Sequence, residues 1–178
     1  MTWINEPASW AADGDTLTFS VPGETDLWRQ THYGYTYDTA PMYGRTVEGD
    51  AKVRVTFTAD YAEQYDQAGV ILRADESNWI KAGVEFVDGA LQISAVVTRD
   101  FSDWSVMSAP EGTTSVTFEL IREGDAVHIN WGADGGEPVT LLRLAYFPPG
   151  VPALAGAMAA APVGKGFQVD FSEVVITG

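Results

Sequence analysis

The chain has 178 residues, of which 25 are acidic and 10 are basic, and its formal net charge at pH 7 is −15. This charge argues against nucleic acid or an anionic membrane as a partner, since binding to either requires a positive surface. The absence of cysteine excludes disulfides and thiolate chemistry, and a hydrophobic content of 46% is typical of a folded domain rather than a disordered chain.

Short segments in which apolar and polar residues alternate recur along the chain and predict β-strands. The predicted strands are residues 17–21, 51–58, 68–73, 79–87, 91–98, 104–108, 115–122, 126–131, 139–146 and 166–177. Asp88-Gly89, between two of them, is a strong β-hairpin signal. The alanine-rich segment 153–161 has helix propensity, but it is short and lies between two prolines, so we predict a buried strand there.

These elements predict a single all-β domain spanning residues 1–178. Many short strands with turns at regular spacing and no clear helix are typical of a two-sheet antiparallel β-sandwich. No linker, internal repeat or low-complexity segment divides the chain.

Polar side chains are predicted to share one face of this sheet. Side chains of a strand alternate between its faces, so Lys81 and Glu85 lie together, and Gln67 joins them if strand 68–73 is the neighbour. Gly69 and Gly83 on that face leave space, as where something approaches the backbone closely. The face is interpretable as a ligand platform or as the solvated side of an antiparallel sheet, and the pattern alone favours the solvated side.

Aromatic residues beside carboxylates, in segments 26–37 and 101–105, favour the platform. Such rings suit sugars, which have apolar C–H patches and polar rims, although large aromatic residues more often serve packing. Trp3, Trp10 and Trp131 are assigned to packing. The candidate ligand-binding residues are Asp26, Trp28, Arg29, Tyr33, Gln67, Lys81, Glu85, Asp103 and Trp104.

Motifs along nearly the whole chain carry a family resemblance. They are residues 3–7, 25–29, 65–69, 78–86, 96–98, 102–105 and 166–171. In these the chain resembles the family catalogued as domain of unknown function 1349, whose fold is the concanavalin A-like lectin/glucanase sandwich, a jelly roll. The resemblance implies a ligand site on the concave face of the larger sheet, where Gln67, Lys81 and Glu85 would lie. Residues 157–162, Ala-Met-Ala-Ala-Ala-Pro, depart from the family pattern.

The residues match few catalytic chemistries. Glycoside hydrolysis requires two carboxylates, but strand 79–87 supplies only Glu85, so Asp26, Asp66 or Asp103 would have to be its partner. Lys81 and Glu85 are more simply expected to form an ion pair that hydrogen-bonds a polar ligand. No spacing of the two histidines indicates a metal site, and no cofactor motif is present.

The functional expectation is therefore a domain that binds a carbohydrate or another small polar ligand. The alternatives are a glycan hydrolase that uses Glu85, and an intracellular domain that binds a protein partner. Because residues 1–7 lack a secretory pattern and no apolar run approaches the ~20 residues of a membrane span, the expected compartment is the cytoplasm.

Overall fold

The computed structural model describes residues 1–178, which form sixteen β-strands and no helix. The strands are β1 (Thr2–Ile4), β2 (Trp10–Asp13), β3 (Thr16–Pro22), β4 (Leu27–Arg29), β5 (Thr36–Asp38), β6 (Met42–Val47), β7 (Ala51–Ala59), β8 (Gln67–Arg73), β9 (Asn78–Val87), β10 (Ala90–Arg99), β11 (Phe101–Ser108), β12 (Val116–Glu123), β13 (Ala126–Ala133), β14 (Thr140–Tyr146), β15 (Ala153–Ala160) and β16 (Gly166–Thr177). The chain contains no helix with the length and apolarity that a membrane crossing requires.

Two seven-stranded antiparallel sheets confirm the predicted sandwich. The front sheet has the order β1-β6-β15-β8-β9-β10-β11, and the back sheet has the order β14-β13-β12-β7-β16-β3-β2. The strand crossings between sheets give a jelly roll. Both sheets have seven strands, so the strand count does not distinguish the larger sheet implied by the family resemblance, and Gln67, Lys81 and Glu85 lie on the front sheet.

All predicted strands are present, including the alanine-rich one. Every residue of β15 is buried, because one face of the strand packs in the core between the sheets and the other in the apolar cluster on the outer face of the front sheet. The sequence pattern missed β1, β2, β4, β5 and β6. These strands have three to six residues, too few for a clear alternation, and they are recognisable only from their pairing partners.

The main core lies between the two sheets. The inner face of the front sheet contributes residues such as Val70, Ala82 and Ala95, and the back sheet contributes larger side chains such as Phe57 and Phe118. Burial of these apolar surfaces, at about 25 cal/mol per Å², is the dominant stabilising contribution to such a sandwich.

A second, separate apolar cluster lies on the outer face of the front sheet, which is turned away from the back sheet. Ile71, Trp79 and Val96 of this face are fully buried under Leu27 and Trp28. The covering segment is the β4–β5 hairpin, residues 27–38, here called the cover hairpin. The interpretation of this face as an ordinary solvated surface is therefore wrong in its central part, because a segment distant in the sequence folds over it.

Gly69 and Gly83 are paired across β8 and β9 on that outer face. A Cβ atom added to Gly83 would collide with the Ala68 carbonyl oxygen, and one added to Gly69 with the Ala82 carbonyl oxygen. The close approach that these glycines permit is thus between the two strands themselves.

Candidate functional site

A pocket of about 550 Å³ opens on the outer face of the front sheet, beside the cover hairpin. We call it the central pocket. Its aromatic lining consists of Trp28, Tyr33, Tyr35, Tyr37, Tyr65 and Trp104. Its polar lining consists of Glu24, Asp26, Gln67, Lys81 and Glu85. Most of the candidate ligand-binding residues expected from the sequence therefore meet at one place, and only Arg29 and Asp103 are missing from the lining.

Lys81 holds the cover hairpin against the sheet. Its Nζ donates hydrogen bonds to the Leu27 carbonyl oxygen (2.9 Å) and to Gln67 Oε1 (2.6 Å). Asp26 Oδ1 lies 3.8 Å from the same nitrogen. The lysine is only 5% exposed, so its charge is stabilised by these three oxygens rather than by water.

Glu85 is the buried carboxylate of the pocket. Its Oε2 accepts hydrogen bonds from Trp104 Nε1 (2.9 Å) and Ser94 Oγ (3.0 Å), whereas Oε1 accepts none from any protein group. Only 8% of the residue is exposed. Burial raises the pKa of Glu85, although Lys81 and the two hydrogen bonds act in the opposite direction. The site thus holds a desolvated carboxylate with one oxygen free to bind.

The expected Lys81–Glu85 ion pair does not form, and that prediction was wrong. The two side chains share a strand face, but Gly83 separates them, and each extends sideways to a different neighbour. Lys81 reaches β8 and the cover hairpin, while Glu85 reaches β10 and β11. The pattern of alternation fixes the face of a side chain and leaves its direction across the sheet undetermined.

The cover hairpin contributes a row of exposed tyrosines. Tyr33 and Tyr35 stack with ring centroids 5.3 Å apart, and Tyr37 meets Tyr35 edge-to-face at 4.9 Å. Trp28 packs edge-on against Tyr33. The neighbouring Tyr65 hydroxyl, together with burial, raises the pKa of Tyr33 to about 12, so this hydroxyl stays protonated at neutral pH.

Two of the predicted site residues lie outside the central pocket. Arg29 Nε donates to the Asp100 carbonyl oxygen at 3.3 Å. Asp103 accepts a hydrogen bond from Arg143 Nη2 at 3.2 Å and lies in a more open depression next to the central pocket. Trp28, Tyr33 and Trp104 form the wall between the two depressions.

Asp66, one of the acids considered as a partner for Glu85, serves the structure. Its Oδ2 accepts hydrogen bonds from the backbone N–H groups of Ala62 and Glu63, at 3.0 and 2.9 Å. It is fully buried and does not line the central pocket. Among the three acids considered as partners, Asp26 is the one in the pocket.

The candidate set from the sequence omitted seven lining residues, which are Glu24, Tyr35, Tyr37, Tyr65, Val96, Pro162 and Val163. A signal existed for the tyrosines at 35 and 37, because they alternate with Tyr33 and so share one face of the hairpin. Pro162 ends the segment that departs from the family pattern, which therefore borders the pocket. No group of three or more histidine, aspartate or glutamate residues is placed to hold a metal ion.

Fold and site together define a concanavalin A-like β-sandwich domain with an aromatic-walled pocket on the outer face of its front sheet. The family described as "Protein of unknown function (DUF1349)" matches residues 3–178, and the chain belongs to it. The chain is 34% identical over 176 residues to regulation of enolase protein 1 of Saccharomyces cerevisiae, covering 99% of this chain and 88% of that protein.

Solved structures give the same fold. The crystal structure of a functionally unknown protein from Saccharomyces cerevisiae superposes with a TM-score of 0.93 at 33% identity, covering 99% of this chain and 95% of that chain. A xylan β-1,4-xylosidase from Bacillus halodurans superposes with a TM-score of 0.69 at 12% identity. That likeness covers 92% of this chain and 33% of the xylosidase, and at such low identity it concerns the fold alone.

Proposed function

We propose that this domain binds a carbohydrate or a similar small polar ligand in the central pocket. The observation that carries the proposal is the combination of Glu85, with its free Oε1, and a surrounding wall of aromatic rings. Ring faces pack against the C–H patches of a sugar, and a buried carboxylate oxygen accepts hydrogen bonds from its hydroxyls.

The size of the pocket supports a small ligand. A volume of about 550 Å³ lies within the range of roughly 300–1,000 Å³ that is usual for small-molecule sites. Aromatic rings beside a carboxylate suit the C–H patches and hydroxyls of sugars, so glycans are the first ligand class to test.

A thermal-shift screen against mono- and oligosaccharides tests the proposal, since a ligand of the native state raises the melting temperature by mass action. Binding should be weakened by Tyr35→Ala, which removes an exposed pocket ring. Tyr146→Ala removes a similarly exposed tyrosine on β14, outside the pocket, and is the matched control. Equal binding by both variants, or no hit at all, would reject the central pocket as a sugar site.

One observation favours hydrolysis of a glycan as a second candidate. The raised pKa of Glu85 suits a general acid, and Asp26 adds a second carboxylate to the same pocket. Release of reducing sugar from a glycan panel, lost in both Glu85→Gln and Asp26→Asn, is the expected result for an enzyme. Saturable binding without turnover would assign the domain to binding alone.

Binding to a protein partner stays the third proposal, and a clean negative in the ligand and turnover assays would make it the first to pursue. The cytoplasmic compartment is likewise a proposal, which fractionation of cells that carry the tagged protein would test.

A further inference from the structure

The central pocket is lined by more acidic than basic residues. Glu24, Asp26 and Glu85 line it, and Lys81 is the one basic residue among the lining residues. Lys81 already has three oxygen partners, of which Asp26 is one. Its positive charge is therefore used inside the protein, and the carboxylates of Glu24 and Glu85 face the pocket without a cation of their own.

The nearby arginines do not correct this imbalance. Arg29 binds the Asp100 carbonyl oxygen, and Arg73 forms an ion pair with Asp38. Neither lines the pocket. A phosphate or carboxylate group entering the pocket would find no free guanidinium or ammonium group and would approach a domain of net charge −15, which repels anions.

The aromatic lining also favours a cation over an anion in the pocket. Six rings surround the cavity, and the faces of aromatic rings carry negative potential that attracts ammonium groups. Trp104 links the two effects, because its indole N–H donates to Glu85 Oε2 while its ring lines the cavity. Glu85 is more than nine-tenths buried and lines the same cavity as the rings, and its Oε1 has no hydrogen-bond partner in the protein.

We propose that the central pocket selects ligands that carry a protonated amine, of which amino sugars are the carbohydrate members, and binds the ammonium group at Glu85 Oε1. This inference rests on the proposed function and narrows it. Neutral sugars lack the charge that Glu85 can pair with, and uronic acids and sugar phosphates bring the wrong charge. An ammonium group at this position gains a charge-assisted hydrogen bond and contact with ring faces together.

The test uses the intact domain and matched sugars that differ in one substituent. Glucosamine, galactosamine and mannosamine are each compared with the parent hexose and the corresponding uronic acid, with tryptophan fluorescence as the readout because Trp28 and Trp104 line the pocket. We expect at least one amine to bind about tenfold more tightly than its parent, the scale of a desolvated cation–π contact, and the uronic acids not to bind.

A pair of variants separates site binding from general attraction to an acidic protein. Glu85→Gln should remove the preference for the amine over the parent sugar. Glu111→Gln removes the same single charge from an exposed loop residue outside the pocket and should leave the preference unchanged. A cooperative melting transition in each variant, at a temperature no lower than that of the unsubstituted protein, shows that both are folded.

Each outcome decides a different point. Equal affinity for an amine and its parent hexose, or tighter binding of a uronic acid, overturns the amine inference while the proposed sugar function stands. An amine preference that survives in Glu85→Gln also overturns the inference, because the ammonium group then binds elsewhere. No binding by any of these sugars overturns the inference, and the absence of any hit in the wider screen of mono- and oligosaccharides removes the sugar function on which it rests.

Discussion

Lys81 and Glu85 lie four residues apart on the same face of β9, and each is buried among partners that the other does not touch. Lys81 Nζ binds the Leu27 carbonyl oxygen and Gln67, whereas Glu85 Oε2 binds Trp104 and Ser94. The charge of Lys81 is therefore satisfied by protein oxygens, whereas Glu85 lines the pocket with one oxygen that has no hydrogen-bond partner in the protein. This division predicts opposite effects of substitution at the two positions.

Glu85→Gln should stabilise the protein at neutral pH relative to the unsubstituted chain. The pKa of Glu85 is raised in the folded protein from its ordinary value of 4.5, so the folded state holds this proton to higher pH than the unfolded state. The contribution of Glu85 to the free energy of unfolding therefore falls as the pH increases above 4.5. A glutamine at this position cannot titrate and should still accept the hydrogen bonds from Ser94 and Trp104.

Urea denaturation of both proteins between pH 4 and 7 measures this effect. We expect the two free energies of unfolding to be similar near pH 4, and Glu85→Gln to be the more stable protein near pH 7. A stability loss in Glu85→Gln that is the same at every pH would contradict this prediction and would mean that the carboxylate stabilises the folded protein.

Lys81→Met should destabilise the domain and loosen the cover hairpin. The substitution leaves the Leu27 carbonyl oxygen and Asp26 without their buried cation, at a cost of about 2–4 kcal/mol. Lys52→Met is the matched control, because Lys52 is half exposed and its pair with Glu119 contributes about 0.5 kcal/mol or less.

Chemical denaturation gives both stability values, and limited proteolysis reports on residues 27–38. Cleavage in that segment should increase in Lys81→Met and stay unchanged in Lys52→Met. Equal stability of the two variants would show that the contacts of Lys81 do not hold the hairpin.

Gly83→Ala should be poorly tolerated, although its backbone conformation is not left-handed. The new methyl group would collide with the Ala68 carbonyl oxygen of the neighbouring strand, and forcing β8 and β9 apart should cost about 2–3 kcal/mol or more. Gly124→Ala is the comparison. Gly124 has φ of +61° and open space around it, so only a backbone cost of about 1 kcal/mol is expected.

The melting temperatures of the two variants rank these effects. A larger loss in Gly124→Ala than in Gly83→Ala would contradict the close approach of β8 and β9. Because Gly83 lies between Lys81 and Glu85, the Gly83→Ala variant should also lose any ligand found to bind in the proposed site.

Arg122 should be among the least replaceable residues of the back sheet. It is fully buried, and its two terminal nitrogens donate to the carbonyl oxygens of Val151 and Pro148, each at 2.9 Å. Its guanidinium also lies 5.0 Å from the Phe147 ring centroid. These contacts fix the loop that leads into β15, so we expect Arg122→Met to cost about 3 kcal/mol by orphaning both carbonyl groups.

Arg143→Met is the control for this prediction. Arg143 pairs with the exposed Asp103, and such a pair contributes about 1 kcal/mol or less. Urea denaturation compares the two variants, and equal midpoints would mean that the loop before β15 does not depend on Arg122.

Local patterns in the sequence were sufficient to predict the longer strands and the sheet face on which each of their side chains lies. The alternation around Lys81, Gly83 and Glu85 placed all three on one face, and the prolines around residues 153–161 favoured a strand over a helix. These inferences succeeded because the orientation of a side chain along a strand follows from backbone geometry alone. Short strands without alternation, such as β4 and β5, could not be predicted in this way.

The tertiary structure determined that the outer face of the front sheet is partly covered rather than solvated. Lys81 binds a carbonyl oxygen 54 positions away in the sequence, and the cover hairpin turned an expected solvated face into an apolar cluster beside a pocket. Such contacts depend on where a distant segment lands, and on which neighbouring strand a long side chain reaches. The sequence by itself therefore determined which residues were available to a site. The packing of β10, β11 and the cover hairpin around β9 determined that Glu85 is buried, only partly hydrogen-bonded and close to aromatic rings.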